Sequence, residues 1–325
     1  MISYLCHLNH TTDDENYMRR CLQLARNGQQ NAKPNPMVGA VIVAPPPAEE
    51  EQGKARIIGE GYHIRCGEGH AEVNAFASVR PEDEPLLPQA TMYVSLEPCS
   101  HYGKTPPCAD LIVKKGVRRV VVGCLDEFAE VQGRGIQKLR DAGIDVTVGV
   151  LEKECQMLNR RFLTFHRLLR PYIILKWAQT ANGFIDDHGQ ALAISSPFTR
   201  MLSHKLRAGE DAILVGRVTN EREHPQLTVR DWCGPSPRRL VIDRQHPLNM
   251  KSLHAHGVQS LIVEGGAKTL QSFIEQGLWD EIRVETNLAL TVSDGTRAPL
   301  IPANVQMIDS RQYDDNTICV YSHII

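Results

Sequence analysis

The sequence lacks long apolar runs and any excess of charge of one sign. No stretch reaches the roughly 18 consecutive apolar residues that a membrane-spanning helix needs, and residues 1–12 have neither the basic nor the apolar region of a secretory signal. The net charge is −2, from 36 basic and 38 acidic residues, so a basic surface for nucleic acid is not predicted. We therefore expect a cytoplasmic protein with neither a membrane nor a nucleic-acid partner.

The cysteines lack the regular spacing of a disulfide framework. The nine cysteines form an odd, scattered set, which is typical of a reducing compartment, where most thiols are small buried apolar side chains. With 325 residues, the chain exceeds the length of one average domain. Two domains are therefore expected.

Short helices and strands alternate along the chain, as they do in α/β domains. The patterns predict an N-terminal extension over 1–13, a first α/β domain over 14–168 and a second over 171–325. The predicted helices are 14–27, 70–79, 108–115, 135–142, 151–169, 199–207 and 268–276. The predicted strands are 37–44, 56–62, 91–96, 118–124, 145–150, 172–177, 212–215, 240–243 and 260–264.

Three residues of the first domain carry the donor atoms of a catalytic zinc site. His70, Cys99 and Cys108 supply one imidazole and two thiolates, a set that suits tetrahedral Zn²⁺ and leaves a fourth position for water. Cys108 stands at a predicted helix start, where the thiolate is favoured. Glu72, close after His70, is suited to move protons between that water and a substrate. This order of residues is the pattern of zinc-dependent base deaminases.

Other interpretations of these residues stay open at this point. Cysteines can fall at this spacing by chance as core residues, because a motif alone is only a hypothesis. A structural zinc would need a fourth protein ligand, for which His101 is the nearby candidate. A zinc-binding scaffold without activity would not use Glu72. A nucleic-acid base editor would need basic and aromatic residues to hold a flipped strand, and no run of them is present.

The segments around the predicted ligands resemble one family closely. Eight residues lie between the two cysteines, in the segment EPCSHYGKTPPC over 97–108. Together with 34–39, 59–63 and 142–146, this segment is similar to the bifunctional deaminase-reductase of riboflavin biosynthesis. The resemblance covers nearly the whole chain after Asp13. It implies a cytidine-deaminase-like α/β/α sandwich followed by a dihydrofolate-reductase-like α/β domain.

The resemblance also implies substrates and cofactors. In that family the first domain deaminates 2,5-diamino-6-(5-phosphoribosylamino)pyrimidin-4-one, and the second reduces its ribosyl group to ribityl. It implies Zn²⁺ and NADPH as cofactors, a small-molecule substrate, and a homodimer as a state common among such fused enzymes. Asn35 would read the pyrimidine edge, although by residue type alone it is equally a turn residue. The mouth for the ribose phosphate would be lined by Ser100, His101, Lys104 and Thr105.

In the second domain the resemblance rests on several segments, among them 175–179 and 263–266. A strand that runs into a Gly-Gly pair and then a helix lets backbone amides approach a phosphate. The implied substrate-binding residues are Arg207, Leu227, Arg230 and Glu264. The implied cofactor-binding residues are Ala178, Thr219, Glu223, Gly265 and Gly266.

The second domain departs from the family pattern in places. Asn182, Ala191, Ala193 and the pair Glu223-His224 replace residues that are usual in the family, and the connection over 243–253 is shorter by a few tens of residues. Two hypotheses follow. The chain is either the full bifunctional enzyme or a deaminase whose second domain serves stability or oligomerisation. NADPH binding would distinguish them.

Overall fold

The computed structural model describes residues 12–46, 54–101, 106–126, 133–243, 245 and 247–323. The chain divides into two compact units, Met1–Arg167 and Leu168–Ile325. Most of the predicted N-terminal extension, together with Lys104 and Thr105, lies outside the described residues. Within the described part of the chain, every helix is too short or too polar to cross a membrane.

The first unit is built on a five-stranded mixed sheet. Its strands are β1 (Gly39–Ala44), β2 (Arg56–Tyr62), β3 (Thr91–Leu96), β4 (Arg119–Cys124) and β5 (Asp145–Val148). The order in the sheet is β2-β1-β3-β4-β5. Strand β1 is antiparallel to both of its neighbours, whereas β3, β4 and β5 run parallel. The carboxyl ends of β3 and β4 therefore lie at the same edge of the sheet.

Helices cover both faces of this sheet. They are α1 (Thr12–Ala25), α2 (Ala71–Ala77), α3 (Cys108–Lys115), α4 (Arg134–Asp141) and α5 (Glu152–Leu158), and α6 (Arg160–Leu168) follows α5. Apolar residues of α2, α3 and α4 pack on one face, and those of α1 and α5 pack on the other. This burial of apolar surface from both sides stabilises an α/β/α sandwich, as the resemblance implies.

The prediction of one helix over 151–169 is wrong. The segment forms two helices, α5 and α6, separated at Asn159, which has φ −99° and ψ 16°. The Asn159 side chain is buried, and its carboxamide bonds a distant backbone segment described below. A buried polar side chain with partners fixed outside its own helix overrides the helical periodicity.

The second unit contains a seven-stranded sheet. Its strands are β6 (Tyr172–Thr180), β7 (Ala212–Gly216), β8 (Arg238–Ile242), β9 (Ser260–Glu264), β10 (Glu281–Asn287), β11 (Val305–Tyr313) and β12 (Asn316–His323). The order is β11-β12-β10-β6-β9-β7-β8. The five strands from β10 to β8 are parallel, and β12 and β11 add an antiparallel hairpin.

Four helices accompany this sheet: α7 (Pro197–Ala208), α8 (Arg217–Glu223), α9 (Met250–Ala255) and α10 (Ala267–Glu275). Helix α7 begins before its predicted start because Ser196 caps it, accepting a hydrogen bond from the Thr199 amide at 3.2 Å, and Pro197 is tolerated in its first turn. The sequence analysis did not predict α8, α9 or the strands after residue 280. Strand β8, which precedes the shortened connection, lies at one edge of the sheet.

Candidate active sites

The predicted zinc ligands of the first unit converge on one point. The Nδ1 atom of His70 lies 3.5 Å from the Cys99 Sγ atom and 3.4 Å from the Cys108 Sγ atom. All three ligand atoms lie within 4.8 Å of one another, and they form the cluster of potential metal ligands found among the described residues. One nitrogen and two sulfur donors at this spacing fit a tetrahedral zinc ion with one position left for water.

Helix starts and a strand end place these three side chains. His70 precedes the first residue of α2 with extended backbone angles, so its side chain projects over the start of that helix. Cys108 is the first residue of α3. Cys99 follows the end of β3, and its carbonyl accepts a hydrogen bond from the Ala109 amide at 3.1 Å. These contacts hold the two cysteines together across the loop between them.

The environment of Cys99 favours its thiolate. The Cys108 side chain hydrogen-bonds its sulfur, and the Cys108 backbone amide donates to the same sulfur at 3.3 Å. With a further contribution from His70, these contacts lower the pKa of Cys99 to about 4. The hydrogen bond between the two sulfurs, together with burial, raises the pKa of Cys108, so the thiolate predicted at the start of α3 is not favoured there. A thiolate is the form of cysteine that binds a metal, and Cys99 is the cysteine whose surroundings favour it.

Glu72 lies in the first turn of α2 and is only 3% exposed. Burial, with a further contribution from Cys99, raises the pKa of Glu72 to about 7. Its carboxyl group also hydrogen-bonds the Cys108 side chain. A carboxyl group beside the ligands that exchanges protons near neutral pH is suited to general acid and base catalysis.

His63 is a site residue that the sequence analysis did not single out. Its ring lies edge-on to the His70 ring, with the centroids 5.3 Å apart. The His63 Nε2 atom lies 3.1 Å from the Asn35 Nδ2 atom, and its Nδ1 atom lies 3.1 Å from the Gly69 carbonyl. Burial lowers the pKa of His63. His63 is therefore a neutral imidazole that lies between Asn35 and the His70 ligand. Asn35 is the residue predicted to hydrogen-bond the pyrimidine edge.

Glu97 is a second residue without a predicted role. It is 4% exposed and accepts hydrogen bonds from the amides of Gly133 and Gly135, both at 3.0 Å, at the start of α4. It also accepts from the Asp126 amide at 3.3 Å. A carboxylate at a helix start satisfies free amides and complements the helix dipole. Glu97 thus attaches α4 to the chain two residues before Cys99.

Asn159 fixes the segment that carries Asn35. Its Oδ1 atom accepts a hydrogen bond from the Met37 amide at 2.8 Å, and its Nδ2 atom donates to the Met37 carbonyl at 2.9 Å. Both hydrogen-bonding groups of the Asn159 carboxamide are therefore used on one backbone residue. No sequence pattern indicates this contact, because 122 positions separate the two residues.

The remaining predicted residues of the first unit are only partly placed. Ser100 is half-buried and His101 is exposed, both directly after Cys99. His101 does not belong to the ligand cluster found among the described residues, so it does not supply the fourth ligand that a structural zinc would need. Lys104 and Thr105 lie outside the described residues, and their role stays a prediction.

In the second unit, Gly265 and Gly266 form a turn against α8. Their φ angles are +113° and +63°. A Cβ atom on Gly265 would lie 2.9 Å from the Thr219 Cγ2 atom, and one on Gly266 would lie 3.0 Å from the Thr219 Oγ1 atom. Glycine is the residue that this backbone and this close approach allow, so the backbone comes close to Thr219 beside the α10 start. Such a turn fits a phosphate group.

Arg207 and Glu264, two of the predicted substrate-binding residues, form a buried ion pair. Their Nη2 and Oε2 atoms lie 2.6 Å apart, and the Lys176 Nζ atom lies 3.7 Å from the Glu264 Oε1 atom. Burial raises the pKa of Glu264, but Lys176 and Arg207 outweigh it, so the pKa stays below its ordinary value. Two cations on one carboxylate leave a net positive charge where a substrate phosphate is expected.

The other two predicted substrate-binding residues lie on the segment after α8. Leu227 has a φ angle of +56° and packs in the core with Ile213 and Ile262. Arg230 is exposed. The Thr228 carbonyl between them accepts a hydrogen bond from the Arg207 Nη1 atom at 3.4 Å, which links this segment to Arg207.

Two predicted cofactor-binding residues are less clearly assigned. Glu223 ends α8 and pairs with Arg222 at 2.5 Å, and Arg222 also lies 3.5 Å from Asp186. Ala178 lies on β6 opposite Glu285 of β10. Their positions do not by themselves indicate a ligand, so both roles stay predictions.

The fold and the sites define a class of protein. An α/β/α unit with a His-Cys-Cys cluster beside a buried glutamate is the arrangement of a zinc-dependent deaminase, here followed by a second α/β unit. The cytidine and deoxycytidylate deaminase zinc-binding region matches residues 11–124. The RibD C-terminal domain matches 171–251 and 246–287, and these two pieces meet at the connection that the sequence shows to be short.

Relatives specify the family. The chain is 38% identical to a riboflavin biosynthesis protein RibD of Aquifex aeolicus, covering 83% of this chain and 86% of that protein. It is 34% identical to RibD of Bacillus amyloliquefaciens, covering 88% and 87%. The chain belongs to the RibD family of bifunctional riboflavin biosynthesis deaminase-reductases.

A solved structure agrees with this assignment over both units. The diaminohydroxyphosphoribosylaminopyrimidine deaminase / 5-amino-6-(5-phosphoribosylamino)uracil reductase of Thermotoga maritima superimposes with a TM-score of 0.83 at 30% identity. The match covers 96% of this chain and 99% of the Thermotoga maritima chain. RibD of Acinetobacter baumannii matches equally well, with a TM-score of 0.83 at 28% identity.

Proposed function

We propose that the first unit hydrolyses the amino group from the diaminohydroxyphosphoribosylaminopyrimidine named for the Thermotoga maritima relative. The observation that carries this proposal is the convergence of His70, Cys99 and Cys108 next to the buried Glu72. These residues would hold Zn²⁺, which when bound makes a water available as a nucleophile at neutral pH. We also propose that the protein acts in the cytoplasm on this free small molecule, consistent with its balanced charge.

Glu72 would carry the protons of the reaction. Its carboxylate accepts a proton from the attacking water and delivers it to the ring nitrogen, while a C–O bond forms at the carbon that bears the amine. Glu72 would then take the second proton from the hydroxyl group now on that carbon and give it to the amine, so that the C–N bond breaks, ammonia leaves and a C=O bond forms. Asn35 would hydrogen-bond the pyrimidine edge, with its orientation fixed by His63 at 3.1 Å. Ser100, His101, Lys104 and Thr105 would surround the ribose phosphate.

Removal of the metal tests the deaminase proposal. We expect a chelator to abolish ammonia release, because the ligand set has no other means of activating water. Added Zn²⁺ should restore it. The reduction of the deaminated product, measured on the same chelated sample, is the control and should be unchanged. Ammonia release that survives complete loss of metal would contradict the proposal.

We propose further that the second unit reduces the ribosyl group of the deaminated product with NADPH. The cofactor, when bound, supplies the hydride. Gly265 and Gly266 would hold its phosphates, Thr219 and Glu223 would lie on the nicotinamide side, and Ala178 would also contact the cofactor. Arg207 and Arg230 would bind the substrate phosphate, and Glu264 and Leu227 would complete the substrate site. The turn of two glycines, which has no Cβ atoms next to Thr219, supports the assignment of the cofactor phosphates to Gly265 and Gly266.

A matched pair of glycines tests the cofactor site. Gly266 and Gly277 flank α10 and share a φ angle of +63°, but Gly266 also has a ψ angle of 114°, outside the left-handed region that alanine can adopt. A Cβ atom on Gly277 meets nothing within 4 Å, whereas one on Gly266 fills the turn. We expect Gly266→Ala to raise the KM for NADPH by about tenfold or more and Gly277→Ala to leave it unchanged. Equal effects of the two changes would contradict the assignment.

A further inference from the structure

His204 connects α7 to the segment that carries Arg230. The side chain is 1% exposed, and its Nδ1 atom accepts hydrogen bonds from the Arg230 amide at 2.9 Å and the Asp231 amide at 2.8 Å. Two amides can donate to one ring nitrogen only when that nitrogen carries no proton. The ring is therefore neutral, with its hydrogen on Nε2.

The same segment is held from other directions as well. Arg207, one turn after His204 on α7, donates to the Thr228 carbonyl at 3.4 Å. The Ser236 hydroxyl accepts from the Val229 amide at 3.0 Å. These bonds fix the backbone, while the exposed Arg230 guanidinium donates from its Nη1 atom to the Thr228 Oγ1 atom at 3.1 Å and to the Gln226 Oε1 atom. Helix α7 thus carries Arg207, and its residue His204 fixes the backbone position of Arg230.

We propose that His204 is a positioning residue of the reductase, whose two accepted hydrogen bonds hold Arg230 where it and Arg207 together bind the substrate phosphate. This inference rests on the proposed function of the two arginines. A planar guanidinium binds phosphate through paired hydrogen bonds whose geometry depends on where the guanidinium is held. Loss of the His204 acceptor would leave the backbone amides of Arg230 and Asp231 without this partner. The backbone from which the Arg230 side chain extends would then no longer be fixed by His204.

The charges around His204 make its role depend on pH. Arg200 and Arg207 face it from α7, and Arg230 and Asp231 face it from the segment, with the Asp231 Oδ2 atom 3.8 Å from Nδ1. Burial, with Arg207 adding to it, lowers the pKa of His204 below its ordinary value despite the opposing effect of Asp231. The neutral ring therefore persists above about pH 6.5. Both hydrogen bonds are lost as the pH falls through the lowered pKa.

Two substitutions separate positioning from general stability. His204→Phe removes the acceptor, whereas His204→Asn can place its Oδ1 atom near the Nδ1 position and does not titrate. The reductase KM would be measured for the phosphorylated substrate and for its dephosphorylated analogue, between about pH 5.5 and about pH 8. The reductase kcat of the same preparations with the dephosphorylated analogue reports intact folding of the second unit.

For His204→Phe we expect the KM for the phosphorylated substrate to rise by about tenfold, the effect of losing one charge-assisted hydrogen bond. The KM for the dephosphorylated analogue and kcat should change little. His204→Asn should keep the wild-type KM near neutral pH, because its Oδ1 atom can accept the same hydrogen bonds. In His204→Phe, an equal rise for both substrates, or a wild-type KM for the phosphorylated substrate, would overturn the positioning role.

Arg230→Gln distinguishes failure of this inference from failure of the function on which it rests. An unchanged KM for the phosphorylated substrate in Arg230→Gln would overturn the phosphate role of Arg230 itself. A raised KM in Arg230→Gln together with a wild-type KM in His204→Phe would overturn only the positioning by His204. Raised values in both variants, confined to the phosphorylated substrate, are the result that the proposal predicts.

Discussion

At the scale of single residues, the chemistry of the first unit depends on what surrounds Glu72. Burial of its carboxyl group, with a further contribution from Cys99, raises its pKa to about 7, although the hydrogen bond with Cys108 opposes this shift. A carboxyl group with a pKa near neutral pH can both accept a proton from water and give one to the leaving amine more readily than a surface glutamate with an ordinary pKa. The position of Glu72 in the first turn of α2, two residues after His70, thus explains both its closeness to the ligands and its proton affinity.

Glu72→Gln tests this account because glutamine has nearly the same shape but cannot exchange a proton. We expect ammonia release to fall by at least about a hundredfold, while metal analysis still finds one zinc ion per chain, since the ligand set is unchanged. Reduction of the deaminated product by the same preparation serves as the internal control. Ammonia release at the wild-type rate would rule out the proton-transfer role of Glu72.

A residue could be predicted from the sequence only where its chemistry leaves a signal there. His70, Cys99, Cys108 and Glu72 could be proposed from the sequence because donor atoms of those types in that order suit one metal. His63 lies in a segment that the sequence analysis matched to the family, so a signal for it existed. Asn159 had none, because its partners are backbone groups of a residue far away in the chain.

At the scale of structural elements, the break between α5 and α6 has a functional consequence. The two hydrogen bonds between Asn159 and Met37 fix the segment that begins with Asn35. The end of the first unit therefore helps to position Asn35, which we propose contacts the pyrimidine. Periodicity of apolar residues predicts a single helix here, because periodicity reports only which face of a helix is buried.

Asn159→Ala should weaken the deaminase through substrate binding. We expect its KM to rise by several-fold to about tenfold, the effect of two lost hydrogen bonds that act indirectly, with a smaller change in kcat and no change in the reductase. Gln156→Ala, in the helix before the break, is the control, because Gln156 bonds only its neighbour Glu152 at 3.4 Å. A deaminase KM that is the same in both variants would contradict the proposal that Asn159 fixes the segment carrying Asn35.

Elements with strong patterns were predictable, and the others were not. The buried strands β1, β3, β4, β7 and β9 carry continuous apolar runs that any α/β sheet requires. Strand β11 is exposed along most of its length, so no apolar pattern marks it. Helix α8 has only one buried residue, Thr219, and therefore lacks the apolar face that predicts a helix.

At the scale of the whole molecule, two units on one chain carry out consecutive steps of one synthesis. Each unit has its own sheet and its own core. The product of the first, proposed to be a deaminated phosphoribosylaminopyrimidine, is the substrate of the second. The shortened connection after β8 leaves this second sheet with seven strands in one continuous order, and the β9 strand still leads into the Gly265–Gly266 turn.

A coupled assay on one zinc-loaded preparation tests the central claim most directly. Ammonia release from the diaminopyrimidine ribosyl phosphate would be followed together with NADPH loss at roughly 340 nm, where reduced nicotinamide absorbs. The account predicts ammonia first and then an equal amount of NADPH oxidised by the same chain. Ammonia without NADPH loss, even when the deaminated product is supplied directly, would contradict the claim that this chain performs both steps.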